Sequence, residues 1–305
     1  MIPFKVISLP DRDTITAFTM KSDRRNCDLS FSNLCSWRFL YDTQYAVIDN
    51  FLVFKFWAGE QLAYMMPVGS GDLKAILREL IEDADKEKHN FCMLGVCSNM
   101  RADLEAILPG QFTFTENRDY ADYIYLRSDL ATLKGKKFQA KRNHINRFRN
   151  TYPDYEYTPI TPDRIQECLD LEAEWCKVNN CDQQEGTGNE RRALIYALHN
   201  FEALGLTGGI LHVNGKIVAF TFGMPINHET FGVHVEKADT SIDGAYAMIN
   251  YEFANRIPEQ YIYINREEDL GIEGLRKAKL SYQPVTILEK YMACLKDHPM
   301  DMVRW

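Results

Sequence analysis

The chain has 305 residues, of which 46% are hydrophobic and 26% are charged, and its formal net charge is −8. Such a composition is that of an ordinary globular protein, and the length suffices for two modest domains. The acidic balance argues against a general nucleic-acid coat, whose surface is basic. No apolar run approaches ~20 residues and the N-terminus lacks the pattern of a signal peptide, so we expect a cytoplasmic protein.

The eight cysteines agree with that expectation. None is spaced as Cys-x-x-Cys, and the closest pairs, Cys92 with Cys97 and Cys176 with Cys181, suit neither zinc nor a disulfide framework. We therefore expect most of them to be small buried apolar side chains, and we expect no metal site.

Residues 1–133 alternate between helical and strand patterns. Helices are predicted at residues 14–21, 31–41, 73–88 and 101–108. Strands are predicted at residues 45–48, 51–57, 61–66 and 91–96. Two further strands, at residues 111–115 and 122–126, are expected to pair with each other.

Residues 134–149 contain seven basic side chains and no acidic one. Phe138, Ile145 and Phe148 are spaced to form an apolar seam, which predicts a helix held down on one side with an exposed cationic stripe. Such a stripe suits a polyanion, with the tRNA acceptor stem as the expected one, although a merely solvated face is the alternative. The polyanion-binding side chains are predicted to be Lys137, Lys141, Arg142 and Arg147.

Residues 154–305 repeat the element order of the first half. A strand near residue 155 and helices at 162–178 and 190–203 precede a hairpin of strands 206–213 and 216–224, whose Asn214-Gly215 turn is typical of type I′. A strand at 230–236, a helix at 243–256, a strand at 261–264, a helix at 272–280 and a last strand at 285–291 follow. Matching features lie about 165 to 171 residues apart, which indicates duplication, although α/β domains often share such an order.

The order of the second half resembles an acyl-CoA N-acyltransferase (GNAT-like) domain, in which the fourth and fifth strands splay around the acyl donor. The segments that carry a closer resemblance are His234-Val-Glu-Lys-Ala-Asp239, Asp243-Gly-Ala-Tyr246, Ile264-Asn-Arg-Glu-Glu-Asp-Leu-Gly271 and Gly274-Leu-Arg-Lys-Ala-Lys-Leu-Ser-Tyr282. They resemble the C-terminal domain family of phosphatidylglycerol lysyltransferase, and the likeness covers most of the chain, including Lys141-Arg-Asn-His-Ile-Asn-Arg-Phe148.

This resemblance implies an α/β (α+β) fold of two tandem GNAT-like domains, each with a mixed, mostly antiparallel sheet flanked by helices. The first domain would span residues 1–133, a basic connecting helix residues 134–153, and the second domain residues 154–305. The strand ends at residues 62–66 and 94–97 are apolar, whereas the matching ends in the second half are polar. We therefore expect the active cleft in the second half.

Candidate catalytic residues are Glu236 and His234, which are two residues apart and so expected on one face of a strand as proton acceptors. Lys237 is expected to point the other way and to pair with an acid. Clustered carboxylates after the fifth strand suit a cationic aminoacyl group, and Arg266 suits a carboxylate or phosphate. A helix-entry charge cluster is the alternative. The predicted substrate-binding residues are Arg266, Glu267, Asp269, Arg276, Lys279 and Tyr282.

Coenzyme A is not the expected donor. Its pyrophosphate needs a glycine-rich loop before the central helix, whereas residues 237–245 contain one glycine and two carboxylates. We expect Asp72 and Asp243 to be helix N-caps. The resemblance implies aminoacyl-tRNA as the donor, with no further cofactor and a lipid, peptide or small-molecule acceptor.

The lysyltransferases of this family place a membrane-embedded flippase before the domain, and no such segment is expected here, so a peripheral lipid acceptor remains one of several. A coenzyme A-dependent N-acetyltransferase with a divergent phosphate loop and a non-catalytic binding module are the alternatives.

Overall fold

The computed structural model describes residues 2–179 and 185–296. The helices within these residues are α1 (Arg12–Thr19), α2 (Phe31–Ser36), α3 (Arg38–Tyr41), α4 (Leu73–Lys86), α5 (Ser98–Ile107), α6 (Arg127–Thr132), α7 (Gln139–Thr151), α8 (Ile165–Asn179), α9 (Glu185–His199), α10 (Phe201–Leu204), α11 (Ala245–Ala254) and α12 (Glu273–Leu280). None of the helices in these two stretches is long and apolar enough to cross a membrane.

Two mixed sheets form the centre of the molecule. Their strands are β1 (Lys5–Val6), β2 (Gln44–Ile48), β3 (Phe51–Ala58), β4 (Gln61–Tyr64), β5 (Val68–Gly69), β6 (Cys92–Val96), β7 (Phe112–Glu116), β8 (Asp122–Leu126), β9 (Glu156–Pro159), β10 (Thr207–Val213), β11 (Lys216–Pro225), β12 (Thr230–Ala238), β13 (Tyr263–Asn265), β14 (Thr286–Leu288) and β15 (Tyr291–Leu295).

The two sheets have the same strand order. The first reads β1-β2-β3-β4-β6-β15-β7, with β5 added beside β3, and the second reads β9-β10-β11-β12-β13-β8-β14. In both, antiparallel strands lead to one parallel pair, β4 with β6 and β12 with β13. This is the GNAT-like order, and its repetition confirms the predicted tandem α/β fold.

The sixth position of each sheet is filled by a strand from the other half of the chain. β8 pairs with β13 and β14 in the second sheet, whereas β15 pairs with β6 and β7 in the first. Strands therefore cross the boundary that the sequence placed at residues 134–153. Because each sheet needs a strand from the other half, the two sheets hold each other together.

This exchange corrects two predictions. The strands at residues 111–115 and 122–126 do not pair with each other, because β7 and β8 belong to different sheets. The single strand predicted at residues 285–291 is in fact two short strands in different sheets, β14 and β15, separated by Glu289 and Lys290. The chain leaves one sheet and enters the other at Lys290, which is 5% exposed.

Several local predictions are confirmed. Asn214 and Gly215 both have positive φ, as a type I′ turn requires, and so do Asp49 and Asn50 in the matching hairpin of the first half. Asp72 caps α4, since its carboxylate accepts from the Ala75 N–H at 3.1 Å.

The cap predicted at Asp243 is wrong. Helix α11 begins at Ala245 behind Gly244, whose φ is +83°, and Asp243 instead forms an ion pair with Arg147 at 2.8 Å.

The cysteine prediction is partly wrong. Cys92 and Cys294 form a disulfide, because β6 and β15 are antiparallel neighbours that place the two Cα atoms 4.1 Å apart. Their 202-residue separation hid this pair from an argument based on spacing. Cys27, Cys35, Cys97 and Cys168 are free, buried thiols, as expected. Cys181 lies outside the described residues.

Candidate active site

The strands β12 and β13 diverge after a short parallel contact. They pair from Thr230 opposite Tyr263 to Gly232 opposite Asn265. β12 then continues to Ala238, whereas the chain after β13 turns to β8, where the Arg266 N–H donates to a backbone carbonyl. We call the gap between them the β12–β13 cleft, and it is the position that the sequence predicted for the site.

Glu236 and Arg266 lie on opposite sides of this cleft. Their carboxylate and guanidinium form an ion pair at 3.0 Å, and both side chains are nearly buried. Asn250, from α11, donates to the other carboxylate oxygen at 3.2 Å. The guanidinium also lies over the Tyr282 ring, 4.7 Å from its centroid. The cleft thus holds a carboxylate and a cation in a partly dehydrated environment.

Two atoms beside this ion pair are buried without a hydrogen-bond partner among the described residues: Arg266 Nη1, a donor, and Asn250 Oδ1, an acceptor. Buried polar atoms are usually hydrogen-bonded, because leaving one unpaired costs ~1–3 kcal/mol. An unpaired donor and an unpaired acceptor beside one carboxylate match a ligand that both accepts and donates hydrogen bonds.

His234 does not share a face with Glu236, contrary to the prediction. A β-bulge interrupts β12, since Phe222 pairs with Val235 and the next residue, Gly223, pairs with Val233. His234 is the extra residue of the bulge, so the alternation that would align it with Glu236 is broken.

His234 has its own partners. Its Nε2 lies 2.8 Å from Ser30 Oγ, and its Nδ1 lies 2.8 Å from a carboxylate oxygen of Glu267, to which Asn33 also donates at 2.7 Å. The order of hydroxyl, imidazole and carboxylate is that of a nucleophile, a base and an orienting acid. Ser30, however, is fully buried, and the His234 side chain is 3% exposed. The group therefore serves as a link between the N-terminal segment and the cleft.

Asp269 and Arg276 form a separate ion pair, in which Asp269 is fully buried and Arg276 is partly exposed. Both oxygens of Asp269 accept from the Arg276 guanidinium, at 2.7 and 2.8 Å, and Tyr123 donates a third hydrogen bond at 2.5 Å. The hydrogen bonds from Arg276 hold the pKa of Asp269 well below its usual range. Since Asp269 is fully buried, these bonds fix the loop that carries Arg266 and Glu267.

Lys279 and Tyr282 complete one wall of the cleft. The Lys279 ammonium donates to the backbone carbonyl of Arg266 at 2.5 Å and to that of Glu268. Burial lowers the pKa of Lys279. Tyr282 is buried between the cleft and helix α7.

A second buried cluster lies where the chain passes between the sheets. The Lys290 ammonium lies 2.8 Å from carboxylate oxygens of Asp28, Asp122 and Glu268, and 3.6 Å from Cys27 Sγ. Cys27, Asp122 and Glu268 are close enough to one another to hold a metal ion, but the ammonium takes the position a cation would occupy. Burial raises the pKa of Glu268 to about 7. We call this group the Lys290 cluster.

Three of the four predicted polyanion-binding side chains of the basic helix already have partners within the chain. Lys137 pairs with Asp129 at 2.8 Å, Arg147 pairs with Asp243, and Arg142 donates to backbone carbonyls, including that of Gly135 at 2.7 Å. Lys141 does not join an exposed stripe, because its ammonium lies 3.9 Å from the centroid of the Tyr282 ring, at the cleft. Polyanion binding by this helix remains a prediction.

The loops that would hold a pyrophosphate are occupied by other groups. A Cβ at Gly244, at the start of α11, would lie 3.2 Å from the His144 carbonyl and 3.3 Å from Phe148, so α7 covers this end of the helix. In the first half, the Asp72 carboxylate already accepts the free N–H at the start of α4. An acid at this position repels a phosphate.

Arg24 lies at the matching cleft of the first sheet, between β4 and β6. The Arg24 guanidinium donates to the carbonyls of Met66 and Pro67, both at 2.6 Å.

Lys237, on the far side of β12 from Glu236, pairs with Glu190 at 2.7 Å, as expected for a side chain that points the other way.

Sequence reasoning missed four residues that shape these sites: Ser30, Asn33, Asn250 and Lys290. Asn250 carried a usable signal, since it is a polar residue in the otherwise apolar stretch Ala245-Tyr-Ala-Met-Ile-Asn250. The others act on partners from distant segments of the chain, which no local pattern records.

Comparison with known proteins agrees with this fold. A conserved protein of unknown function from Bacteroides thetaiotaomicron is 96% identical over 97% of this chain and 100% of that chain, with a TM-score of 0.96. The C-terminal domain of a putative lysylphosphatidylglycerol synthetase from Agrobacterium fabrum is 13% identical over 95% and 93% of the two chains, with a TM-score of 0.70. A tandem GNAT protein from the clavulanic acid biosynthesis pathway, 10% identical over 98% and 100%, has a TM-score of 0.50.

Among curated proteins, an uncharacterized protein of Mycoplasmoides gallisepticum is 25% identical over 177 residues. That match spans 56% of this chain and 55% of the other, about half the length of each. The family model described as phosphatidylglycerol lysyltransferase, C-terminal, matches residues 19–294. The chain therefore belongs to the phosphatidylglycerol lysyltransferase C-terminal family, built as two GNAT-like domains.

Proposed function

We propose that the protein is an aminoacyltransferase that moves an aminoacyl group from aminoacyl-tRNA to a lipid, peptide or small-molecule acceptor. Membership of the family supports a transferase. The observation that supports aminoacyl-tRNA as the donor is the group of Glu236, Arg266 and Asn250 in the β12–β13 cleft. Its unpaired donor, unpaired acceptor and carboxylate suit an α-amino ester, which has an acceptor carbonyl and a cationic amine. An acetyl group has no such amine.

The roles in transfer follow from this geometry. The acceptor hydroxyl or amine attacks the ester carbonyl, and Glu236 takes the proton it loses. Arg266 Nη1 donates to the carbonyl oxygen as negative charge develops there. Asn250 Oδ1 accepts from the α-ammonium. The carbon–oxygen bond to the tRNA ribose then breaks, and the leaving hydroxyl receives the proton held by Glu236.

The closing test is a transfer assay. The protein is incubated with mixed tRNA charged with labelled amino acids, and with total lipid vesicles, a peptide mixture or small amines as acceptor. We expect label in one acceptor class and a loss of at least ~10²-fold in the Glu236→Gln variant, which keeps the shape of the side chain but cannot take a proton. Glu259→Gln, at a side chain that is 93% exposed, is the matched control and should transfer normally.

Three results would reject the proposal. Equal turnover by Glu236→Gln and the parent would remove the assigned base. Binding of aminoacyl-tRNA without transfer to any acceptor would indicate a binding module, and stabilisation by coenzyme A in a thermal-shift experiment would indicate an N-acetyltransferase. A parallel melting curve for each variant establishes that it is folded.

A further inference from the structure

Lys141 turns away from the basic surface of α7 and into the β12–β13 cleft. Its ammonium lies 3.9 Å from the centroid of the Tyr282 ring, and the Arg266 guanidinium lies 4.7 Å from the centroid of the same ring. Two cations therefore share one aromatic side chain. Cation–π attraction contributes only ~0.5–2 kcal/mol for each, so the ring does not neutralise them.

The cleft contains more positive than negative charge. Glu236 is the carboxylate that faces Arg266 and Lys141, and it already accepts from Arg266 and Asn250. Within residues 2–179 and 185–296, no carboxylate lies within 4.0 Å of the Lys141 ammonium. The charged groups that face this ammonium are Arg266 and Glu236. Lys279, on the adjacent wall, is held by backbone carbonyls.

This excess charge also affects the pKa of Lys141. Burial, and then the positive charge of Arg266, lower the pKa of Lys141 to about 8. The ammonium form is therefore poorly stabilised by the protein itself. A bound anion would supply the missing charge. Arg266 Nη1 is buried without a partner and carries two N–H groups, so one can donate to the ester carbonyl of the proposed reaction and the other to the anion.

We propose that Lys141 and Arg266, which both lie against the Tyr282 ring, bind a phosphodiester group at the edge of the β12–β13 cleft. This inference rests on the proposed function, because both partners of that reaction can carry such a group a few bonds from the reacting atoms. In aminoacyl-tRNA it is the phosphate of the terminal nucleotide, and in a phospholipid acceptor it is the head-group phosphate. The non-bridging oxygens of a phosphodiester match two separate N–H donors.

Calorimetric titration with two probes tests the site. One probe is glycerophosphoglycerol, a lipid head group without acyl chains, and the other is a short single-stranded RNA ending in CCA. We expect at least one to bind, with an affinity at least ~10-fold lower for Lys141→Gln and little changed for Lys141→Arg. Lys86→Gln, an exposed charge change on α4 of the first half, is the control and should bind as the parent does.

The pH dependence separates a bound anion from a structural role of Lys141. Affinity should fall as pH rises through about 8, where Lys141 loses its charge, and this fall should vanish in Lys141→Arg because a guanidinium stays protonated. The probe that binds identifies whether donor or acceptor occupies the site.

Two results would overturn the inference: neither probe binds the folded protein, or Lys141→Gln binds as tightly as the parent. Because binding is measured without turnover, a failure of the phosphodiester site can be told apart from a failure of the proposed transfer reaction. Transfer that depends on Glu236 can occur without a Lys141 phosphate site, and the site can bind a probe in a protein that transfers nothing.

Discussion

Replacing Lys290 by methionine should destabilise the protein strongly, and more at pH 8 than at pH 5.5. The Lys290 ammonium is 2.8 Å from three carboxylates, and the side chain is 5% exposed. Methionine fills a similar volume but leaves Asp28, Asp122 and Glu268 close together without a cation. Removing one partner of a buried ion pair typically costs ~3–5 kcal/mol, and we expect a loss of that order at pH 8.

The pH dependence follows from Glu268. Burial raises its pKa to about 7, from an ordinary value of 4.5. A carboxyl whose folded-state pKa is raised contributes stability that is present below about pH 4.5 and lost as pH rises through about 7. The charge of Lys290 opposes this rise, so its removal should raise the pKa of Glu268 further. Protonation at pH 5.5 then relieves part of the repulsion, and the loss should shrink by at least ~1 kcal/mol.

Urea denaturation followed by circular dichroism at the two pH values measures both effects. Adding Glu268→Gln to the Lys290→Met variant removes one of the three charges and should recover part of the stability at pH 8. Lys86→Met, on an exposed helix end, is the control for the loss of a lysine. A loss under ~1 kcal/mol at both pH values, or one that does not depend on pH, would show that the Lys290 cluster is not a buried charged group.

Further predictions concern the loop that carries Arg266 and the bulge in β12. Asp269→Asn should cost about 2–4 kcal/mol, because it disrupts a fully buried carboxylate that accepts from Arg276 and Tyr123. As the pKa of Asp269 is lowered, this contribution is present above about pH 4 and lost at lower pH. Thermal melts at pH 7 and pH 3 measure it, and equal losses at the two pH values would contradict the ion-pair account. Gly223→Ala should cost at least ~2 kcal/mol, since a Cβ there would lie 1.8 Å from the Gly232 carbonyl oxygen. Gly274→Ala, in α12 with open space around it, should instead be neutral or stabilise by up to ~1 kcal/mol, and a comparable loss in both glycine variants would refute the steric argument.

Much of the local structure could be predicted from the sequence. The Asn214-Gly215 turn, the Asp72 cap and most elements depend on neighbouring residues, so the pattern around each one records them. The position of the cleft also followed from local order, because the end of β12 and the end of β13 are polar where the matching ends of the first half are apolar.

Contacts within the cleft could not be predicted in the same way. An added residue in one strand shifts every later side chain, and the bulge that separates His234 from Glu236 depends on how β11 pairs with β12. Lys141 is one basic residue among seven in its segment, and its turn toward Tyr282 depends on where α12 ends relative to α7. Neither the bulge in β12 nor the orientation of Lys141 is indicated by the residues of its own segment.

The sequence by itself determined which segments are helices and strands and the repeated order of the two halves. Only the tertiary structure decided that β8 and β15 exchange sheets, and with this the Cys92–Cys294 disulfide and the Lys290 cluster. The physical reason is that a short strand such as Asp122–Leu126, buried on both faces, carries no local signal that specifies which sheet it joins. Its partner is chosen by packing between residues that lie more than a hundred positions apart.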